Sequence, residues 1–332
     1  MSATPSLWSR WVRRLDHREP ATGLALLRIC MGLVLFMEVG TVWWADLIDV
    51  LWFGIDDGGY RPAGTTGSWL IKRLGGPSPA VIYGLIATAL VGACGLVLGV
   101  LPRVAAFLGL QAFLALGWNN VHAGGSYDPL ITNILWLLVL ADSGSTGSVT
   151  AWRKTGRWWP DTQALAWPRY LVVGQMVTLY TSTGLQKVSA TWVPGGDLSA
   201  LYYILQQPTW QRFDMSGAAW VFPLTQLVTL LTWIFEVGAP ILVLAFWYRA
   251  TSTRPGRLRA WFNRVDLRAI WLGFGAVMHV GIMLLMDVGT FSLVCLASYF
   301  CFFHADELRR FPVLRRWLPP PNPPETGFPR TA

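Results

Sequence analysis

Charged residues are scarce in this 332-residue sequence, at 13% of the chain. Soluble domains carry about 25% charged residues, so the deficit excludes an ordinary soluble globular protein. Hydrophobic residues make up 53% of the chain and gather in stretches long enough to cross a bilayer. The composition therefore predicts a membrane protein with the lipid bilayer as a partner. The net charge of +8 is explained by basic loops at a membrane, so no nucleic-acid partner is predicted.

Cysteine is also rare, and its spacing excludes two classes of site. The four cysteines are Cys30, Cys94, Cys295 and Cys301. None forms a CxxC pair, and no Cys/His cluster has the spacing of a zinc site. The sequence therefore predicts no metal centre and no dithiol redox relay. All four cysteines are expected to be buried small hydrophobic residues.

About eight apolar stretches are candidate membrane-spanning helices. They are residues 22–43, 79–101, 103–119, 127–142, 168–187, 219–248, 268–286 and 288–304. The sixth stretch is long enough to tilt or kink, and Pro240 is the predicted position of a kink. The predicted fold class is therefore all-α, a polytopic transmembrane helical bundle.

The basic residues predict the orientation of this bundle. With the N-terminus inside, twenty of the 26 Lys and Arg residues fall in inner segments. The outer segments hold only Arg61, Lys72, Arg73, Lys187 and Arg212. The positive-inside rule then makes both termini of a multi-pass plasma-membrane protein cytoplasmic. We expect a basic N-terminus over residues 1–20, a membrane domain over 21–305 and a basic, Pro-rich tail over 306–332. The basic, Trp-containing segment 148–166 is expected to lie along the inner surface.

Away from their ends, the predicted spans contain four residues of the types Asp, Glu, His, Lys and Arg: Arg28, Glu38, Glu236 and His279. Each costs about 2.5–3.5 kcal/mol to insert, so each is a functional candidate. Arg28 can snorkel to the interface or pair with an acid, and Glu38 can be an interfacial acid. Glu236 has apolar neighbours and must be paired with a cation or protonated, in a structural or a functional role. His279 is either a hydrogen-bonded core histidine or a ligand-binding residue.

A polar loop is predicted between the third and fourth spans. It contains Asn119, Asn120 and His122, followed by Gly124 and Gly125. One interpretation is a tight turn in which the two glycines supply positive φ angles. The other is a polar pocket at the outer face of the membrane.

Lys187 closes the fifth apolar stretch and precedes a loop rich in Trp and Gly. The topology places it on the outer side, together with His122. A lone lysine in this position is either an interface anchor or a base whose basicity is set by its apolar surroundings. The sequence of the stretch leaves both interpretations open.

Five segments together resemble the HTTM family, the membrane domain shared with vitamin K-dependent gamma-carboxylase. They are Ala25-Leu26-Leu27-Arg28-Ile29 with Met31-Gly32-Leu33, Trp118-Asn119-Asn120, Gly184-Leu185-Gln186-Lys187-Val188 with Trp192-Val193 and Gly195, the Glu236 helix with Pro240, and the His279 helix. The resemblance covers roughly residues 15–305. The Lys187 segment is the most specific of the five.

The resemblance implies a chemistry and a set of site residues. Lys187 would be the base that deprotonates vitamin K hydroquinone or menaquinol, and His122 would assist it. Oxygen, and carbon dioxide if the carboxylase cycle is kept, would be the other reactants. The implied ligand-binding residues are Asn119, Asn120, Trp192, Glu236, His279 and Arg28. In the carboxylase the histidine directly follows Asn-Asn, whereas Val121 intervenes here.

The resemblance also limits the prediction. The carboxylase continues into a large lumenal domain that helps to hold its protein substrate, and no such domain is expected in this sequence. We therefore predict quinol-linked modification of a small secreted peptide or protein at a site facing the extracytoplasmic side. The alternative is a non-enzymatic maturation, immunity or partner-binding membrane protein, since bacterial relatives of this size include a maturation protein of a peptide-toxin system. A lipid-binding or transport role is a third interpretation, and transport is disfavoured because no inverted repeat is visible.

Overall fold

The structure, a computed structural model, describes residues 6–53, 68–217 and 219–318. Most of these residues are helical. The strands in the described part of the chain are β1 (Arg18–Pro20) and β2 (Gln163–Leu165). The helices are α1 (Leu7–Leu15), α2 (Thr22–Trp44), α3 (Ile48–Trp52), α4 (Trp69–Arg73), α5 (Pro79–Leu98), α6 (Pro102–Asn119), α7 (Asp128–Leu140), α8 (Val149–Thr155), α9 (Trp167–Gln186), α10 (Ala200–Ile204), α11 (Phe222–Val237), α12 (Ile241–Ala250), α13 (Arg257–Val265), α14 (Leu267–Leu285), α15 (Phe291–Tyr299), α16 (Ala305–Leu308) and α17 (Pro312–Arg315).

Each predicted span coincides with a helix. The sixth is interrupted at residues 238–240, between α11 and α12, where Pro240 predicts a kink. Four helical stretches are long and apolar enough to cross a membrane by length and composition. They are Thr22–Trp44, Pro79–Leu98, Ala219–Val237 and Arg257–Leu285. The chain is therefore a helical membrane protein, whereas the count of about eight spans stays a prediction. Arg61 and residues 319–332 of the predicted tail lie outside the described residues.

Local signals in the sequence fix the ends of these helices. The Ser78 hydroxyl accepts a hydrogen bond from the Val81 amide at the start of α5, and Pro79 opens the helix. Gly99 ends it with a φ of 67°. Inside α5, a Cβ added to Gly92 would lie 2.9 Å from the backbone nitrogen of Gly109 in α6. Glycine at position 92 therefore allows the two backbones to pack closely.

The chain divides into two compact units, and the boundary falls within α9. The first contains the described residues up to 172 and from 289 to 318. In this unit β1 and β2 pair antiparallel, with Glu19 opposite Ala164. The guanidinium of Arg169 binds both carboxylate oxygens of Glu19 and donates to the Cys301 carbonyl at 2.7 Å. These contacts bring the segment before α2, the start of α9 and the end of the α15 segment to one end of the unit.

The basic segments of the first unit meet at this end. Leu26 packs with Leu308 and Leu318, and Trp159 packs against the same cluster. Arg309 lies 3.9 Å from Asp161. The segments of this unit that the charge distribution predicts on the inner side thus lie together at one end of the unit. The cytoplasmic side of that end stays a prediction.

The second unit contains residues 173–288. Here α9 and α11 meet near their C-terminal ends, because Gly184 lies against Glu236 and Val237. The chain after α9 then runs along α11: Gln226 Nε2 donates to the Asp197 carbonyl at 2.6 Å, and the Leu201 amide donates to Thr229 Oγ1 at 3.2 Å. The loop that follows Lys187 is therefore packed against a helix.

The expectation that all four cysteines are buried was wrong, and so was one of the two interpretations of Gly124 and Gly125. Cys295 and Cys301 are buried, but Cys30 is half-buried and Cys94 is exposed on α5. Gly124 has a φ of −100°, and neither it nor Gly125 has a positive φ angle. Both positions are crowded instead: an added Cβ would lie 2.2 Å from Asp128 Oδ2 at Gly124 and 2.3 Å from the Tyr127 ring at Gly125. Close approach of neighbouring side chains, not backbone conformation, is the reason for glycine there.

Candidate functional site

Lys187 and Glu236 form an ion pair in the second unit. The Lys187 Nζ donates to both carboxylate oxygens of Glu236. Their side chains are 22% and 10% exposed, respectively. The Lys187 Nζ also lies 4.6 Å from the centroid of the Trp192 ring, within the range of a cation–π interaction. Of the two states predicted for Glu236, pairing with a cation is the one in the structure.

The C-terminal end of α9 explains how the pair is positioned. Tyr180 and Gly184 are four residues apart and share one side of the helix, and Lys187 directly follows its last residue, Gln186. A Cβ added to Gly184 would lie 2.8 Å from Glu236 Cβ and 2.8 Å from the Val237 nitrogen. Glycine at this position lets α11 approach closely enough for the short reach from Lys187 to Glu236.

The loop after Lys187 holds Trp192 beside the ammonium group. The Asp197 amide donates to the Ala190 carbonyl at 3.0 Å, and the Ala200 amide donates to the Thr191 carbonyl at 3.0 Å. A Cβ added to Gly196 would lie 1.8 Å from the Ala190 carbonyl oxygen, so only glycine fits there. These hydrogen bonds join the two ends of the loop, and Trp192 belongs to the segment between them.

A buried aromatic cluster lies next to the ion pair and consists of Tyr180, Phe235, Trp271 and His279. The Tyr180 hydroxyl is 2.6 Å from His279 Nε2, and both residues are buried. Phe235 and Trp271 stack with ring centroids 4.0 Å apart, and the Trp271 Nε1 donates to the Phe235 carbonyl at 3.1 Å. His279 is thus a hydrogen-bonded core residue, and the cluster fixes the helix that presents Glu236.

Asn119, Asn120 and His122 lie in the first unit. Asn120 Nδ2 donates to the Leu51 carbonyl at 2.7 Å, and its Oδ1 accepts from the His122 amide at 3.0 Å. Asn119 is buried, with no hydrogen-bond partner for its Nδ2. His122 is exposed. Asn120 therefore stabilises the loop through hydrogen bonds to Leu51 and His122. The imidazole of His122 is accessible, and its surroundings do not indicate a role.

Glu38 links three parts of the first unit. Its carboxylate accepts from the Tyr127 hydroxyl at 3.0 Å and from Thr290 Oγ1 at 2.8 Å. These residues belong to α2, to the start of α7 and to the start of α15. The half-buried carboxylate is therefore satisfied by two hydroxyl donors at the end of the unit opposite to β1 and β2.

The expectation for Arg28 was wrong. The residue neither snorkels nor pairs with an acid: it is 0% exposed, and its Nη2 donates to the Gly147 carbonyl. Its Nε and Nη1 have no hydrogen-bond partner. A Cβ added to Gly99 would lie 2.1 Å from Arg28 Nη1, so the guanidinium fills the space beside that glycine. Arg28 thus holds the segment before α8 against α2 and α5.

The structure brings together three of the predicted site residues, Lys187, Glu236 and Trp192, and places His279 in the adjoining cluster. Arg28, Asn119, Asn120 and His122 belong to the other unit. Sequence reasoning missed Tyr180, Phe235 and Trp271. A signal existed for Tyr180, which lies four residues before Gly184 and so on the same face of α9. Within the described residues, no group of three or more His, Cys, Asp or Glu side chains could hold a metal ion.

The family model described as the HTTM domain matches residues 17–215, more than half of the chain. The chain belongs to the HTTM family. Lys187 and Trp192 of this HTTM protein lie inside the matched region, whereas Glu236 and His279 lie beyond it. No curated protein and no solved structure matches the chain. The family match therefore covers the lysine of the ion pair but not its carboxylate.

Proposed function

We propose that this HTTM protein is a multi-pass plasma-membrane protein with about eight spans and cytoplasmic termini, in which Lys187 and Glu236 move a proton of a bound quinol. The observation that carries the proposal is the direct contact between the Lys187 ammonium and both Glu236 oxygens. The segment around Lys187 resembles the one that carries the base of the gamma-carboxylase. The proposed site faces the extracytoplasmic side.

The residues around the pair fit the polar end of a quinol. Lys187 retains 22% exposure, so a hydroxyl group can approach it. Leu185 and Val188, on either side of it, are exposed apolar residues that suit a lipid-soluble ligand. The Trp192 indole beside Nζ adds an aromatic face on which a ring can stack.

The proton can be followed through the pair. Lys187 as an ammonium has no lone pair, so it becomes a base only after it passes a proton to Glu236. The neutral amine then accepts the proton of the ligand hydroxyl, and Glu236 retains the first proton as a carboxylic acid. When bound, vitamin K hydroquinone or menaquinol would supply, with oxygen, the oxidation that drives modification of a small exported substrate, and carbon dioxide would be added if that modification is a carboxylation.

Epoxide formation tests the proposal. Purified protein in detergent would receive reduced menaquinone or vitamin K hydroquinone with oxygen, and the epoxide would be measured by mass spectrometry. We expect turnover by the wild type and a loss of about 100-fold or more in Lys187→Ala and Glu236→Gln, the scale of a lost general base. Lys72→Ala, in the other unit, is the matched control and should keep full activity. No epoxide from the wild type, under conditions in which the gamma-carboxylase is active, would contradict the proposal.

One observation favours a second, non-enzymatic function in maturation, immunity or partner binding. The Lys187 ammonium contacts two carboxylate oxygens and an indole ring, an arrangement that also suits a purely structural ion pair between the end of α9 and α11. In that case the wild type produces no epoxide, although Lys187→Ala still lowers the melting temperature. Epoxide made equally by wild type and Lys187→Ala would rule out the assigned base.

A further inference from the structure

We propose that the basic end of the first unit is a binding site for anionic phospholipid headgroups, formed by α1, by residues 149–158 and by α17. The sequence predicts only that segment 148–166 lies along a membrane surface. The structure adds α1 and α17 to this segment and shows contacts nearby. From their side chains we infer the chemistry of the ligand.

The first observation is an apolar stripe on α1. Trp8, Trp11, Val12 and Leu15 follow the spacing of one helix face, and all four are exposed, Trp8 at 73% and Trp11 at 54%. Arg10, Arg13 and Arg14 occupy the intervening sequence positions, and the Arg13 side chain is exposed. A short helix with an exposed Trp-rich face and arginines beside it is typical of a segment that lies in a membrane interface.

The second observation is a pair of stacked indoles among three cations. The Trp152 and Trp158 rings stack with centroids 6.0 Å apart and an interplanar angle of 18°. Arg153, Lys154 and Arg157 lie between them in sequence, and all three are exposed. Tryptophan prefers the headgroup level of a bilayer, and guanidinium groups bind phosphate oxygens with two parallel hydrogen bonds.

Backbone and side-chain contacts join the segments that follow α1 and residues 149–158 in the chain, and bring α17 beside them. The Ala166 amide donates to the His17 carbonyl at 2.9 Å, next to the pairing of β1 with β2. The Leu26–Leu308–Leu318 cluster with Trp159 brings in α17, on which Arg315 is exposed, and the exposed Arg316 and Trp317 follow it. Six residues separate the end of α1 from the start of the spanning helix α2, so this end of the unit must lie near the bilayer surface.

The charge at this end is uncompensated on its surface. Among the acids, Glu19 is buried against Arg169, Asp161 and Asp306 lie against Arg309, and Glu307 caps α16. In the described part of this end, the exposed acids outside these ion pairs are Asp16 and Asp142. The surplus of cations around exposed indoles matches an anionic headgroup layer and not a zwitterionic one.

Native mass spectrometry of the full chain tests the proposal by titration with phosphatidylglycerol and, separately, phosphatidylcholine. We expect the wild type to bind phosphatidylglycerol more tightly and to lose that preference as salt rises. The triple variant R153Q/K154Q/R157Q should bind phosphatidylglycerol about tenfold more weakly or worse, with phosphatidylcholine binding unchanged. K72Q/R73Q changes two cations at the opposite end of the unit and should bind like the wild type.

Equal affinity of the wild type for the two lipids would overturn the proposal, and so would unchanged phosphatidylglycerol binding in the triple variant. The salt titration of the wild type needs no variant, so it decides the question even if the triple variant misfolds. A preference that survives high salt would also count against headgroup charge as its cause.

Discussion

Lys187 and Glu236 are 49 residues apart in sequence and in contact in the second unit. Either side chain alone would be an unpaired charge at or within an apolar helix. In the pair, the ammonium and the carboxylate neutralise each other. The pair is shielded by Trp192 on one side and by the close approach at Gly184 on the other. Removing one partner of such an ion pair lowers the stability of the protein, because little solvent can reach the charge that remains.

We expect Lys187→Met to destabilise the protein by about 3 kcal/mol, since it leaves the Glu236 carboxylate without its cation. The double variant Lys187→Met with Glu236→Leu should recover most of that loss, because neither charge then remains. Melting temperatures in detergent, measured for both single variants and the double variant, give the coupling. Losses that simply add would show that the two side chains do not depend on each other.

A smaller effect is expected at the hydrogen bond between Tyr180 and His279. Tyr180→Phe keeps the ring contacts with Phe235 and Trp271 but removes the hydroxyl that lies 2.6 Å from His279 Nε2. The change should cost about 1–2 kcal/mol of stability, the value for one buried hydrogen bond. Leu185→Ala, at an exposed position of the same helix, is the control and should change the melting temperature little.

The sequence identified single site residues better than their partners. Lys187, Glu236 and His279 stand out because ionisable side chains are rare in apolar helices. Their contacts depend on which helix faces meet, and hydrophobicity on all sides of α9 and α14 does not reveal a buried face. Arg28 shows the same limit: its partner is a backbone carbonyl, which carries no side-chain signal in the sequence.

At the scale of elements, the contact between α9 and α11 depends on one glycine. Gly184 lies in α9 where α11 comes closest, and the neighbouring atoms are backbone as well as side chain. The apolar stretches predicted both helices, but nothing in their hydrophobicity shows that their C-terminal ends meet. The loop that returns along α11 is held by backbone hydrogen bonds, which a composition of Trp, Gly and Ser does not specify.

Gly184→Ala should separate α9 from α11 and destabilise the protein by about 1–3 kcal/mol, because its methyl group would lie 2.8 Å from atoms of Glu236 and Val237. Gly174→Ala is the matched control on the same helix, where nothing lies within 4 Å of the added carbon. The control should be neutral or slightly stabilising because alanine favours helix. Thermal unfolding in detergent measures both, and equal melting temperatures would refute the close approach.

For the whole molecule, the charge distribution predicted which basic segments share an end of the first unit. Residues 18–20, 163–169 and 305–318 lie together as the positive-inside rule requires for a common side. The rule acts on loop charge and needs no knowledge of packing, and the side of the membrane that this end faces stays a prediction. The division into two units was not predictable from it, because apolar stretches do not show which helices contact each other.

Labelling of intact cells tests which side this end faces. Lys154→Cys lies at the basic end, and Ser126→Cys lies in the exposed loop at the opposite end of the same unit. A membrane-impermeant maleimide should modify the cysteine at position 126 in intact cells, and the one at 154 only after lysis. The reverse pattern would place both termini outside and invalidate the proposed topology.

The ion pair between Glu19 and Arg169 imposes an order on biosynthesis. Its members are 150 residues apart, so at ribosomal rates of about 5–20 residues per second the arginine emerges about 8–30 s after the glutamate. The Cys301 carbonyl that Arg169 also binds is made another 132 residues later. The second unit is therefore synthesised in full while the first still waits for its last helices. Until Arg169 emerges, the nascent chain carries the Glu19 carboxylate, three residues before its first membrane helix, without this cation.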